Sequence, residues 1–393
     1  MSRRPPYARR LLPVAALLAG LSLEAQAVDL LQSYQLALQN DARYQIARAE
    51  TAAAREAAPQ AQAQLLPNIS LSLMRSDRSS DIWSPNMLGK MSYRRQDYLA
   101  SNYAISLRQP IYRRYNFVLY EQAQAQVASA EATLDRNLQD MIARLTAAYF
   151  DALGAEDQLR LVQAQKTAYA AQLQAMQRRL QTGQGTRTDI DDAQARYDMA
   201  LAQELEATQN IDQTRRQLQS IIKQPVKQLA GLVPERIELI PPYPANPEEW
   251  VQRGEESNPE LKSLRANIEA AEKEISKASS GHHPTLDLVA QRSRSTSDGE
   301  TVINQEYLTT SVGLQLNIPL FAGGYNSSQV RQAEAGLERA RSQYEGRRRE
   351  IELSIRKEYQ NVAQGVLKVR AQEQSERSAR QAILSNQKGY QAG

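Results

Sequence analysis

The chain has 393 residues, a formal net charge of +4 and no cysteine, which excludes disulfides, thiolate metal sites, cysteine catalysis and a lipid anchored on an N-terminal thiol. Hydrophobic residues make up 41%, with 18 Tyr against only 3 Phe, a composition that suits helices packed through small side chains better than one thick apolar core.

Arg3, Arg4, Arg9 and Arg10 precede an apolar stretch from Leu11 to Leu23, and Ala25-Gln26-Ala27 follows. This reads as a secretory signal peptide, residues 1–27, cleaved after Ala27. The apolar run of 13 residues, interrupted by Pro13 and Gly20, is too short to span a bilayer as a helix. The leader carries four Arg and one Glu, so the remaining 366 residues hold 44 basic and 43 acidic side chains. A nucleic-acid partner is therefore not expected, since that needs clustered Lys and Arg.

The rest of the chain is written twice. Tyr115-Asn116 returns as Tyr325-Asn326, Ala123 and Ala125 as Ala333 and Ala335, and Tyr149 as Tyr359, all at an offset of 210. Asn40-Asp41 is echoed by Asn258-Pro259, and seven of the 16 prolines fall in residues 225–259, where they mark a junction. The first repeat is assigned to 28–240 and the second to 247–393. Each is expected to open with a helix, continue into two strands, and end in a very long helix; only the first repeat adds a helix that returns.

In the first repeat the strands are expected at about 67–75 and 98–109. Ile69, Leu71 and Leu73 alternate with Ser70, Ser72 and Met74; Leu99, Tyr103, Ile105 and Leu107 share a face opposite Asn102, Ala104, Ser106 and Arg108. The helical hairpin is placed at 116–222. Val127, Leu134, Leu138, Met141 and Leu145 recur at coiled-coil spacings, and Gly183-Gln184-Gly185 breaks the rod, with Thr188 or Asp189 expected to cap the return. In the second repeat Leu286, Leu288 and Ala290, then Leu308, Val312, Leu314 and Leu316, repeat the alternation over about 284–292 and 307–318. The long helix follows over 325–390.

One apolar and one polar face over some ten residues is the pattern of a transmembrane strand, with lipid outside and a wet lumen inside. Tyr93, Tyr98, Tyr112, Tyr115, Tyr307 and Tyr325 sit near the strand ends as an interfacial belt. Four strands cannot close alone, and an open sheet edge does not survive in lipid. Several chains are thus expected to share one barrel. Arg347-Arg348-Arg349, among Glu345, Glu350 and Glu352, reads as a solvated helix face. His282 and His283 precede a strand start, where neighbours point to opposite faces, so no metal site is expected there. No nucleophile motif or phosphate loop is present, and the chain is not expected to be an enzyme or to hold a cofactor.

Leader, duplication, paired strands and rod-like hairpins together resemble the TolC family of outer-membrane channels, as do Gly324-Tyr325-Asn326, Ala333-Glu334-Ala335 and Thr188-Asp189-Ile190. The resemblance covers essentially all residues after the leader. It implies a mainly α fold with a small β part: duplicated helical hairpins forming an α-barrel tunnel, and four transmembrane β-strands per protomer contributing to a trimeric 12-stranded barrel. It implies a homotrimer in the outer membrane of a Gram-negative bacterium, extending into the periplasm. The partners implied are outer-membrane lipid, a periplasmic adaptor (membrane fusion protein) and an inner-membrane ABC or proton-driven transporter. The lipid-facing positions are then Ile69, Leu71, Leu73, Leu99, Tyr103, Ile105, Leu107, Leu286, Leu288, Val312, Leu314 and Leu316.

By the same resemblance Thr188, Asp189 and Tyr390 form the periplasmic gate, and Asp191 and Asp192 add negative potential at the entrance. Adding the offset to Gly183 reaches Gly393, the last residue, so the second repeat is expected to lack its returning helix of roughly 40 residues and the arginine that completes the gate. The cargo is either proteins of a type I secretion system or small toxic molecules, and the lack of a lipidated cysteine favours protein secretion. The rival reading is a periplasmic coiled-coil adaptor of an export complex.

Overall fold

A computed structural model of the chain describes residues 27–233, 236–297 and 305–392. The leader lies outside the described residues. Helices dominate, in the order α1 (Leu30–Asn40), α2 (Ala42–Arg55), α3 (Ala57–Ala63), β1 (Asn68–Pro85), β2 (Met91–Arg113), α4 (Arg114–Gln181), α5 (Arg187–Ile222), α6 (Pro247–Ser257), α7 (Pro259–Ser279), β3 (Thr285–Ser297), β4 (Gln305–Asn317) and α8 (Tyr325–Ala392). This is a mainly α protein with one small antiparallel sheet. Asp41 follows α1, and Asn258 ends α6 while its side chain accepts from Glu260 and Leu261 to cap α7. The paired short helices of the two repeats therefore break at equivalent places.

The chain forms two compact bodies. The first comprises residues 27–41 together with Ala143–Val233. Its core is a seam of small and branched residues: Ala193, Ala200, Ala207, Ile211 and Leu218 of α5 are all buried, at steps of seven and four that keep one stripe inward. From the α4 side Leu145, Ala148, Ala152, Ala155 and Val162 are buried. Alanine at so many positions lets the helix backbones approach closely. Tyr149 is 3% exposed, and its hydroxyl donates to the carbonyls of Val28 and Ala230 at 3.1 and 2.8 Å, tying the segments before α1 and after α5 to the long helix. Arg144 pairs with the buried Asp41 at 3.1 Å, and Arg215 with Glu156 at 2.8 Å.

The second body comprises Ala42–Ile142 with the described residues from 236 onward. Asn116 at the start of α4 donates to the carbonyl of Gln64. Asn326, 210 residues on, donates to the carbonyl of Gly281 at 2.7 Å. A Cβ at Gly281 would lie 2.8 Å from Asn326 Oδ1 and displace the Asn326 amide that makes this bond. Tyr359, the repeat partner of Tyr149, donates to the carbonyl of Ala245. Arg347 holds both oxygens of Glu260 on α7 at 2.7 and 2.9 Å, and Arg348 reaches Glu255 of α6 and Glu352. The run Arg347–Arg349 is thus no simple solvated face: Arg347 joins α8 to α7 and Arg348 joins it to α6, because α6 and α7 bring acidic side chains alongside it. Glu260 and Glu350 together raise the Arg347 guanidinium above its ordinary value.

The sheet has the order β1-β2-β3-β4, antiparallel throughout. The strands run past the stretches of apolar alternation used to place them, β1 and β2 by most, since they extend ten residues past 75 and seven before 98. The extra length is a polar hairpin, with Asp77 opposite Leu99 and Asp81 opposite Arg95; backbone pairing there does not depend on one face being apolar. His282 and His283 belong to a single 3-10 turn, Ser280–His282, and its cap, not to the strand, which begins at Thr285.

Candidate functional site

Register decides which side chains share a face. Ile69 lies opposite Leu107, Leu71 opposite Ile105 and Leu73 opposite Tyr103. Leu107 is in turn opposite Ala290, which faces Val312, while Leu286 and Leu288 meet Leu316 and Leu314. With Leu99, all twelve positions assigned to lipid fall on one face. Leu107, Leu286 and Leu288 are half-buried and the rest are exposed, Val312 at 72% and Leu314 at 68%. Such a contiguous apolar surface marks a place where something other than water is the neighbour.

The same face continues through residues that the sequence reading left out. Arg292 sits opposite Ile105 and Arg294 opposite Tyr103, and Arg75 and Arg95 lie farther toward the β1–β2 turn. Their charges are matched on that face by Asp77, Asp81, Asp97 and Glu306, with Arg294–Glu306 closed at 2.6 Å and Arg95–Asp97 at 3.5 Å. Trp83 and Tyr93 pack with tilted rings, centroids 5.3 Å apart, near the turn. Tyr98 and Tyr307 leave the expected belt: opposite Arg78 and Ser295 respectively, they belong to the other, polar face.

That polar face is the more covered of the two. On β2, Ala104 is 7% exposed and Gln96, Tyr98, Ala100 and Ser106 are half-buried, whereas most of the odd positions stand exposed. At its helix end, Asp287 is 2% exposed and accepts from two arginines. Arg108 donates to Oδ2 through Nη2 at 2.6 Å and Nε at 3.0 Å. Arg113 donates through Nη2 at 2.6 Å and through Nε to Oδ1 at 2.7 Å. Strict alternation from Arg108 would put Arg113 on the apolar face. The register shift between Pro110 and Tyr112 inserts one residue and turns Arg113 inward; a proline, with no N–H for the ladder, favours such a bulge.

The α4–α5 turn carries the other assigned residues. Gly183, at φ +74°, follows the end of α4, and Gln184 N–H donates to Arg179 while Gly183 N–H donates to Leu180. These are the two hydrogen bonds of a Schellman ending. The cap of α5 is Thr186, not Thr188 or Asp189: its hydroxyl accepts from Asp189 N–H at 3.2 Å, and Asp189 Oδ2 accepts from Thr186 N–H at 3.1 Å. The reciprocal box needs Thr and Asp three apart, a spacing that starts at Thr186.

Thr188, Asp189, Asp191 and Asp192 are all exposed. The Thr186 hydroxyl and backbone N–H hold the Asp189 carboxyl below its usual range. Its charge therefore persists to lower pH than that of an ordinary aspartate, and is lost as pH falls through the depressed value. Arg178 and Arg179 end α4 and Arg187 opens α5, so the acidic pair shares its turn with three cations. The side chain of Tyr390, in the last turn of α8, lies outside the described residues. Among the described residues no helix is long and apolar enough to cross a membrane, a statement that leaves the strands untouched.

The sequence profile of the outer membrane efflux protein family matches residues 33–222 and 250–393. The alkaline protease secretion protein AprF of Pseudomonas aeruginosa is 35% identical over 380 residues, which is 96% of this chain and 79% of that protein. The proteases secretion protein PrtF of Dickeya chrysanthemi is 31% identical over 387 residues, 98% of this chain and 83% of that one. In three dimensions the outer membrane protein VceC of Vibrio cholerae superposes with a TM-score of 0.72 at 20% identity, covering 93% of this chain and 86% of that one.

Proposed function

Because the chain belongs to the outer membrane efflux protein family, and is an outer-membrane channel reaching into the periplasm, we infer that it works as one of three copies whose sheets close a single barrel. The observation that carries this is the sheet itself: among the described residues β1 and β4 each have an edge with no strand beside it, next to an apolar face. In hydrocarbon every unpaired backbone group costs several kcal/mol, and closure removes both edges at once. Three sheets of four strands supply twelve, with the twelve apolar positions against lipid and the polar face around the lumen. The family and fold are those of channels rather than enzymes, and the family match sets the adaptor reading aside.

As a passive conduit the channel needs a periplasmic adaptor and an energised inner-membrane transporter to load it. AprF and PrtF carry protease secretion in their names, which supports an exported protein as cargo; the efflux description of the family supports small molecules as the second reading. Deleting the gene should abolish export of a secreted protein while drug tolerance stays normal, and the reverse pattern would assign the channel to efflux. For assembly, light scattering on the detergent-extracted protein should give three times the protomer mass. A water-soluble monomer would overturn the shared barrel.

At the periplasmic end we assign the gate to Thr188, Asp189 and Tyr390, and extra negative potential to Asp191 and Asp192. One oxygen of Asp189 is engaged in the capping box, which leaves the other to accept from a neighbouring turn. Asp189→Ala is expected to raise closed-state conductance in planar bilayers. Thr186→Ala should weaken the start of α5 by about 1 kcal/mol and raise the leak less. Wild-type closure should persist from neutral pH down to about 4 and fail only below, since the depressed carboxyl keeps its charge to lower pH. Equal leak from wild type and Asp189→Ala would leave Asp189 a capping role alone.

A further inference from the structure

The two faces of the sheet differ in charge as well as polarity. On the apolar face four arginines are matched by four carboxylates. The polar face holds Arg78, Arg94, Arg108 and Arg113 against the single carboxylate of Asp287, a net +3 among the described residues, as read from the strand register. We propose that this face is a binding surface for acidic stretches of a polypeptide passing through the barrel. The inference rests on the shared-barrel reading, which turns the polar face into a lumen wall and triples its charge.

Asp287 does not neutralise its two partners. One carboxylate cannot cancel two guanidiniums, so the cluster keeps a surplus positive charge. Arg108 spends two of its five N–H groups on Asp287, and its side chain remains 54% exposed, which leaves its other donors open to solvent on the polar face. The guanidinium is thus held in place by a buried anion yet open to a second one. Its planar fork matches a carboxylate bidentately. The Pro110–Tyr112 bulge strengthens the case: without it Arg113 would fall on the apolar face and the polar face would lose a quarter of its cations. Arg78 and Arg94 lie on the β1–β2 hairpin beyond the stretch paired with β3, so the cations extend along the wall instead of forming one point. A segment bearing several carboxylates can meet them in succession, each contact weak enough to be left behind.

Planar-bilayer recording on the reconstituted protein tests this, with an oligo-glutamate peptide added on the side of the β1–β2 turn. Block is read as a fraction of each variant's own open current. The wild type should be blocked in 0.1 M KCl and not in 1 M KCl, where the screening length falls from about 10 to about 3 Å. Oligo-lysine and inorganic phosphate at equal charge concentration should block neither. The variant Arg78→Gln/Arg94→Gln, which leaves the Asp287 cluster untouched, should bind the peptide at least about fivefold more weakly, the factor for one unit charge at contact distance in water. Arg108→Gln should weaken it similarly. Block by oligo-lysine, equal block in wild type and both variants, or phosphate matching the peptide would each overturn the proposal while leaving the channel standing. Absence of any conductance would remove the shared barrel and the proposal together.

Discussion

Leu314→Arg should leave little of the protein as a stable oligomer in the outer membrane, whereas Ser311→Arg, three positions earlier on the same strand, should assemble nearly as the wild type does. Both residues sit on β4 and both changes add the same side chain. They differ only in face: Leu314 is 68% exposed opposite Leu288 on the apolar side, and Ser311 is opposite Gln291 on the polar side. A cation placed against lipid near the bilayer midplane costs ~2–4 kcal/mol, and in a shared barrel the cost is met once per copy. On the lumen side an added arginine stays in water. The measurement is the oligomer fraction on unheated gels of outer-membrane extracts; similar loss from both variants would mean that the apolar face does not contact lipid.

Asp287→Asn is expected to have the next largest effect. Removing one member of a fully buried ion pair costs about 3–5 kcal/mol, and an exposed pair contributes at most about 1 kcal/mol. Here the carboxylate is 2% exposed but its partners are 54% and 29% exposed, so water can solvate the orphaned guanidiniums and an intermediate cost of about 2 kcal/mol follows. Arg113→Gln should cost less, because Asp287 would keep Arg108. The temperature at which the oligomer dissociates should therefore fall in the order Asp287→Asn below Arg113→Gln below wild type. If Asp287→Asn matched the wild type, the cluster would not be what fixes β2 to β3.

Much of this architecture was legible because its signals are local and periodic. Alternation in Ile69–Leu73 and Val312–Leu316 specifies a strand face, and the glycine at 183 a helix end, from spacing alone. The same reasoning failed where one residue changed the phase. Arg113 was unreadable as a residue of the polar face because the extra residue at Pro110–Tyr112 reverses the side chains after it; the proline inside an otherwise regular strand was the available sign. Asp287 was passed over as one polar residue among several, since its importance comes from Arg108 and Arg113, 179 and 174 residues away in the chain. The α5 cap was misplaced by two or three residues, although Thr186 and Asp189 already had the reciprocal spacing. Arg347 looked like a surface charge because nothing near it in sequence announces Glu260.

The side chains that fix both long helices share one habit: Asn116, Asn326, Tyr149 and Tyr359 all donate to main-chain carbonyls. A carbonyl is supplied by whatever residue occupies the position, so such a bond survives replacement of its acceptor's side chain. The seam between the helices, built largely from alanine, likewise demands little beyond smallness. An architecture held in this way can let most of its letters drift while its shape persists, which is how a chain 20% identical to VceC can trace nearly the same path, and how the two halves of one chain can differ almost everywhere except at these fastenings.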